Sequence, residues 1–187
     1  AVATATADRP TLGPDQAKAV STICGSDAAV SVMIGPAGTG KTFTLDAVRA
    51  AFHANDIELI GAAPSARAAL ELEAGAGIPS RTLQSLIHRW DTGHERLGRG
   101  TLLVIDEAGM ADIRTLEHAV TRQVGAGGRV LLVGDHHQLP EVGAGGGFAH
   151  AADHARTVAE LTINRRQRAP WEQNALADLR NGNVAAA

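Results

Sequence analysis

The stretch Gly35-Pro36-Ala37-Gly38-Thr39-Gly40-Lys41-Thr42 has the spacing G-x-x-x-x-G-K-[ST], set between an apolar run that ends at Ile34 and a helical pattern that begins at Thr42. The glycines let successive backbone N–H groups turn inward and approach phosphate oxygens closely. A helix opening near Gly40 adds the positive end of its dipole. Lys41 supplies a point charge for β- and γ-phosphates, and the Thr42 hydroxyl is a ligand for Mg2+. Gly35, Pro36, Ala37, Gly38, Thr39, Gly40, Lys41 and Thr42 together read as a nucleotide-binding loop; the alternative is a glycine turn that binds nothing. Lys18 and Lys41 are the only lysines of the chain, and one of them falls here.

A second cluster follows. Leu102-Leu103-Val104-Ile105-Asp106-Glu107 is an apolar run ending in two acids. Asp106 would hold Mg2+, directly or through water, and Glu107 would orient and deprotonate the water that attacks a γ-phosphate. A second adjacent acid favours hydrolysis over mere switching. The alternative is a helix start where acids suit the dipole. Val130-Leu131-Leu132-Val133-Gly134-Asp135-His136-His137-Gln138 puts polar groups at the C-terminal end of another strand, where open parallel sheets bind ligands. Gln138 both donates and accepts, so it suits a contact to the γ-phosphate and the attacking water together. His136 and His137 make a poor metal site, because adjacent side chains in a tight loop rarely converge on one ion and no third ligand is evident.

These groups need a scaffold. Strand patterns cover residues 30–34, 57–62, 102–105, 129–133 and 157–162. Helical patterns cover 42–54, 65–73 with Ser65 as N-cap, 81–90, 113–124 and 170–180 with proline near its start. Residues 91–100 form a polar, glycine-containing connection, the most mobile-looking internal segment, and 142–147 a glycine loop. The alternation predicts a single α/β domain over 11–187, a mostly parallel sheet flanked by helices. Residues 1–10 lack periodicity and read as a flexible tail.

Composition narrows the classes. The 44% apolar and 20% charged content is that of an ordinary globular chain of 187 residues. A single cysteine, Cys24, rules out an intrachain disulfide and a thiolate zinc site. No run of eighteen apolar residues exists to span a membrane, and no basic-then-apolar leader opens the chain, so a cytoplasmic location is expected. The net charge of −3 means that nucleic acid would be held by local patches, not by the whole surface. The chain starts Ala-Val-Ala and ends Ala-Ala-Ala, which reads as a piece of something longer.

The ordered set resembles a superfamily 1 helicase, of the branch containing RecD and the helicase parts of conjugative relaxases such as TraI and TrwC. The resemblance spans roughly residues 11–182. Leu12-Gly13-Pro14-Asp15-Gln16 is similar to the upstream glutamine motif, which implies that Gln16 reads the adenine edge. Residues 35–42 resemble motif I. Ala63-Pro64-Ser65-Ala66-Arg67-Ala68-Ala69 resembles motif Ia, and Ser80-Arg81-Thr82-Leu83 the segment after it, which implies single-stranded DNA contacts by Ser65, Arg67 and Thr82. Asp106-Glu107-Ala108-Gly109-Met110 is similar to motif II, and Gly134-Asp135-His136-His137-Gln138-Leu139-Pro140 to motif III. Leu161-Thr162-Ile163-Asn164-Arg165-Arg166-Gln167 resembles motif IV, whose Arg before Gln contacts the γ-phosphate; here that is Arg166.

The resemblance implies a RecA-like P-loop NTPase fold, with the strand at 30–34 flanked by those at 129–133 and 157–162, and Asp106 one strand further. It implies ATP as substrate, Mg2+ as cofactor, single-stranded DNA as partner, and catalytic roles for Lys41, Glu107, Gln138 and Arg166, the arginine stabilising charge on the transferring phosphoryl group. It also implies a second RecA-like lobe, whose motifs are missing from this chain, as is the relaxase's tyrosine nucleophile, since the chain has no tyrosine. The parent is expected to be a five-prime to three-prime DNA helicase; this piece should bind nucleotide, hydrolyse poorly and unwind nothing.

DNA contact is the thinner part of this reading. Stacking platforms are scarce: Phe43 and Phe52 fall on a helical face that suits the core, and Trp90 suits a helix end better than a surface platform. Two other readings stand beside it: a P-loop kinase or small NTPase using 91–100 as a lid, and a degenerate nucleotide-binding module that is not an enzyme.

Overall fold

The computed structural model describes residues 1–95, 98–135 and 146–166. In chain order these form α1 (Val2–Ala7), α2 (Pro14–Cys24), β1 (Val30–Ile34), α3 (Lys41–His53), β2 (Glu58–Ala63), α4 (Ala66–Ala76), β3 (Ser80–Thr82), α5 (Leu83–Asp91), β4 (Thr101–Ile105), a 3-10 turn (Ala108–Met110), α6 (Ile113–Gly125), β5 (Arg129–Gly134), α7 (Gly147–His154) and β6 (Thr157–Glu160). Every strand pairing is parallel, in the order β3-β2-β4-β5-β1-β6. β1 therefore lies between β5 and β6, with β4 one strand beyond β5, the order implied by the resemblance.

The central strands are apolar throughout because both of their faces are covered. Successive side chains go to opposite layers. Met33, Val104, Leu131 and Val133 pack with Val20 and Ile23 of α2, Leu45 and Val48 of α3 and Leu72 of α4. Val32, Ile34, Leu103, Ile105, Val130 and Leu132 pack with Leu86 and Trp90 of α5, Leu116 of α6 and Phe148 of α7. Trp90 is thus a buried helix-end hydrophobe, and Phe52 a core residue with the Arg129 guanidinium 4.7 Å above its ring.

Helix starts are locally specified. Ser65, Thr82 and Asp112 cap α4, α5 and α6, their side-chain oxygens accepting the N–H of Ala68, Ser85 and Thr115. Segment 91–95 is tied down by Glu95, which pairs with Arg89 at 3.1 Å and Arg81 at 3.5 Å.

The structure corrects the reading of residues 1–10 as a flexible tail. Val2–Ala7 is helical and Ala5 is buried. Arg9 pairs with Asp46 of α3 at 2.7 Å, so a long-range ion pair and a small-residue face hold what local periodicity does not reveal. Helix α2, strand β3 and helix α7 also go beyond the sequence-based elements. The helix expected at 170–180 and most of the glycine loop lie outside the described residues.

Candidate nucleotide-binding site

All strands are parallel, so the loops leaving β1, β4 and β5 and the segment leaving β6 emerge at one end of the sheet. There they enclose a cavity of about 520 Å³. Pro36, Ala37, Gly38, Gly40, Lys41 and Thr42 line it from the loop after β1; Asp106 and Glu107 come from β4, Gly134 and Asp135 from β5, Arg165 and Arg166 from beyond β6, and Ala68, Glu71 and Leu72 from α4.

The loop's shape depends on glycine at two places. Gly38 and Gly40 have φ of +84° and +82°, the left-handed region that side chains rarely adopt. A Cβ on Gly38 would stand 2.8 Å from Asn164 Oδ1, and one on Gly40 would stand 2.5 Å from Gln16 Nε2. Gly40 is also the N-cap of α3, so the helix begins at the loop's last turn and aims its N-terminal end at the cavity.

Lys41 folds back over the loop, its Nζ donating to Gly35 O at 2.7 Å and Pro36 O at 3.4 Å. Burial pulls its ammonium below the ordinary value, and the nearby Asp106, Asp135 and Glu107 oppose that pull. The Thr42 methyl packs against Gly75 of α4 so closely that a Cβ there would clash. Asp106 Oδ1 accepts the Glu107 N–H at 2.9 Å. Burial raises the Asp106 carboxyl above the usual range, with the Glu107 N–H and Lys41 only partly offsetting it. Glu107 is raised too, by burial and then by the charges of Asp106 and Glu71. Its backbone is left-handed, φ 50° and ψ 36°, an unusual conformation for this residue type.

Three basic and four acidic side chains line the cavity. That balance does not favour a polyphosphate by itself; a divalent cation would redress it. Thr42 and Asp106 offer a hydroxyl and an under-compensated carboxylate, the hard oxygen donors that Mg2+ takes together with phosphate oxygens. Among the described residues no group of three or more His, Cys, Asp or Glu could hold a metal by itself.

Below the loop, Gln16 is 1% exposed. Its Oε1 accepts the Gly13 N–H at 2.9 Å, and its Nε2 donates to Thr39 O and Gly40 O, both at 3.2 Å. Asp15 accepts the N–H groups of Thr162 and Ile163, each at 3.1 Å, and pairs with the Arg165 guanidinium. Burial works against an ionised Asp15, but Arg165 and those amides outweigh it and hold the carboxyl below the usual range.

The structure thus brings Lys41, Thr42, Asp106, Glu107 and Arg166 to one cavity, with Pro36, Ala37, Gly38 and Gly40. Gly35 and Thr39 of the loop, and Gln16 behind it, do not line the cavity. Gln138 lies outside the described residues. Ser65 and Thr82 sit at the same end of the sheet with their hydroxyls engaged as helix caps. The Arg67 side chain is 90% exposed and pairs with Glu71 at 2.8 Å. Three charged lining residues were not expected as site residues: Asp135, Arg165 and Glu71. Asp135 had a visible signal, an acid directly after an apolar strand; Glu71, on a helix remote in sequence from the loop, had none.

The profile of the AAA domain family matches residues 11–187. The chain belongs to that family. It is 39% identical over 173 residues to the probable conjugal transfer protein TraA of Sinorhizobium fredii, covering 92% of this chain and 16% of that protein. It is 33% identical over 162 residues to the ATP-dependent RecD2 DNA helicase of Deinococcus radiodurans, covering 84% of this chain and 22% of that one. The crystal structure of Pif1 helicase from Candida albicans superposes with a TM-score of 0.67 at 20% identity, over 92% of this chain and 45% of that chain. This AAA domain is therefore a RecA-like lobe of the superfamily 1 helicase type, related to conjugative TraA and TraI proteins and to RecD-type helicases. It spans less than a quarter of the curated relatives it matches. No helix among the described residues is long and apolar enough to cross a membrane.

Proposed function

We propose that this AAA domain binds and hydrolyses ATP with Mg2+, as the motor lobe of a five-prime to three-prime DNA helicase belonging to a conjugative relaxase–helicase. The observation that carries the reading is the convergence of Lys41, Thr42, Asp106, Glu107 and Arg166, from three segments far apart in sequence, on one cavity at the C-terminal end of a parallel sheet.

The chain's own groups suggest the steps. Lys41 exchanges the carbonyl of Gly35 for oxygens of the β- and γ-phosphates, a better partner for its ammonium. Thr42 and Asp106 would hold Mg2+, which when bound neutralises phosphate charge. Glu107 accepts a proton from water as the water oxygen bonds to the γ-phosphorus and the bond from that phosphorus to the bridging oxygen breaks. Its raised affinity for the proton suits that task. Arg166, exposed at the mouth, faces the charge that develops on the transferred group. Gln138 is retained as the residue that orients the water, and Ser65, Arg67 and Thr82 as the DNA contacts, with Arg67 the best placed to reach a phosphate. Unwinding belongs to an assembly with a second RecA-like lobe, and this chain by itself turns ATP over slowly.

The test is an equilibrium titration with MgATP on the wild type and Lys41→Ala. Micromolar binding that weakens at least about tenfold in the variant supports the reading. Equal affinities would overturn it. Brisk ATP turnover stimulated by single-stranded DNA in this chain alone would overturn the division of labour between lobes.

A further inference from the structure

Helix α7 carries two histidines that the nucleotide site does not use. His150 and His154 have the i, i+4 spacing at which side chains meet on one face of a helix. Both are exposed, and their rings stack with centroids 4.2 Å apart and planes 29° from parallel. His154 Nδ1 lies 2.9 Å from His150 O. A carbonyl only accepts, so Nδ1 carries the hydrogen, and in the neutral ring Nε2 keeps its lone pair. A backbone carbonyl behind the ring is the support that fixes tautomer and orientation in metal-ligating histidines. The His150 ring makes no hydrogen bond among the described residues, so it can turn to bring a nitrogen beside His154 Nε2.

We propose that His150 and His154 chelate one divalent transition-metal ion, of the Ni2+, Cu2+ and Zn2+ class, and that this ion locks α7 in its helical form. Neutral imidazole suits these ions, whereas Mg2+ takes hard oxygen donors. The pair is thus chemically distinct from the Thr42 and Asp106 donors of the phosphate cavity. Two ligands leave the remaining coordination positions to water, and among the described residues no third His, Cys, Asp or Glu completes a cluster. Chelation requires the two rings to stay one turn apart, so the ion binds the helix in preference to the unfolded segment. The helix has room to gain, because its N-cap Gly146 supplies no side-chain hydrogen bond. The effect reaches the sheet through Phe148 of the same helix. That side chain is buried, and its ring stands so near Gly134 that a Cβ there would lie 3.1 Å from Phe148 Cζ. Gly134 closes β5 and lines the nucleotide cavity. A fixed α7 therefore holds a prop against one wall of that cavity, while the histidines themselves stay outside it.

The test strips the protein with EDTA and titrates it with NiCl2 by calorimetry, beside His150→Gln, His154→Gln and, as a control, His118→Gln on the neighbouring α6. Wild type and control should take up one Ni2+ per chain in the micromolar range, unaffected by millimolar MgCl2. Each variant of the pair should bind it at least about tenfold more weakly. At about a hundredfold excess over its Kd, Ni2+ should raise the wild-type melting temperature by roughly 5–10 °C, and that of either pair variant by about half as much or less. Equal affinities in the wild type and both pair variants would overturn the chelate. Uptake with no rise in melting temperature would overturn the claim that the ion fixes α7. A further readout needs no substitution: Ni2+ should shield His150 and His154 of the wild type from diethyl pyrocarbonate, followed by mass spectrometry. Unchanged labelling of both rings at saturating Ni2+ would overturn the proposal on the wild type alone.

Discussion

Glu107 carries two separable burdens, and two substitutions resolve them. Its φ of 50° and ψ of 36° are left-handed, which costs a residue with a Cβ about 1 kcal/mol. Asn tolerates that conformation better than Glu or Gln does. Its charge is the second burden, because burial, Asp106 and Glu71 all raise the carboxyl's proton affinity in the fold. A folded-state pKa above the ordinary 4.5 means that ionisation costs stability, in full above the raised value and not at all well below 4.5. Glu107→Gln removes the charge and keeps the strained backbone; Glu107→Asn relieves both. At pH 7.5, Gln should melt above wild type, and Asn above Gln by a further ~2–4 °C for a domain of this size. As the pH is lowered toward 4.5, the Gln advantage over wild type should shrink while the Asn advantage over Gln stays constant. Thermal melts of the three proteins at several pH values read both. An Asn variant no more stable than Gln would refute the backbone argument, and a Gln advantage that grows on acidification would refute the electrostatic one. Both variants should still bind MgATP and should lose its hydrolysis.

The clasp behind the loop has its own pH signature. Asp15→Asn weakens the bonds to Thr162, Ile163 and Arg165 and should cost about 2 kcal/mol, or ~4–8 °C, at neutral pH. Because the folded Asp15 carboxyl lies below its ordinary 3.8, that stabilisation is present above pH 3.8 and fades below it, so the melts of wild type and variant should converge only in strong acid. Cys24 should be a slow thiol: burial pushes its pKa up to about 11, so iodoacetamide at pH 8 should label it far more slowly in the native protein than in denaturant. Equal rates would show that the packing around α2 is looser than described.

Which parts of this molecule were legible from its residues follows from the range of the forces involved. β1, β4 and β5 announce themselves because a strand covered on both faces must be apolar throughout, and the loop after β1 because its glycines are required by backbone geometry. The convergence of Lys41, Asp106 and Arg166 followed only from the strand order that the helicase resemblance implied, which the sheet then reproduced. β3 has three residues, too few for any period to show, and exists because β2 offers Gly61, Ala62 and Ala63 as partners. α1 depends on an ion pair between Arg9 and Asp46, which no local window contains. Gln16 shows the same limit inside the site. Its residue type and its place in the motif were readable, and its helix α2 even carries proline at the first turn. The direction of its amide was not readable, because that is decided by carbonyls 23 and 24 residues away and by a loop braced from Arg165. A motif therefore names the groups present at a site, while the task of each group is set by which partners satisfy it.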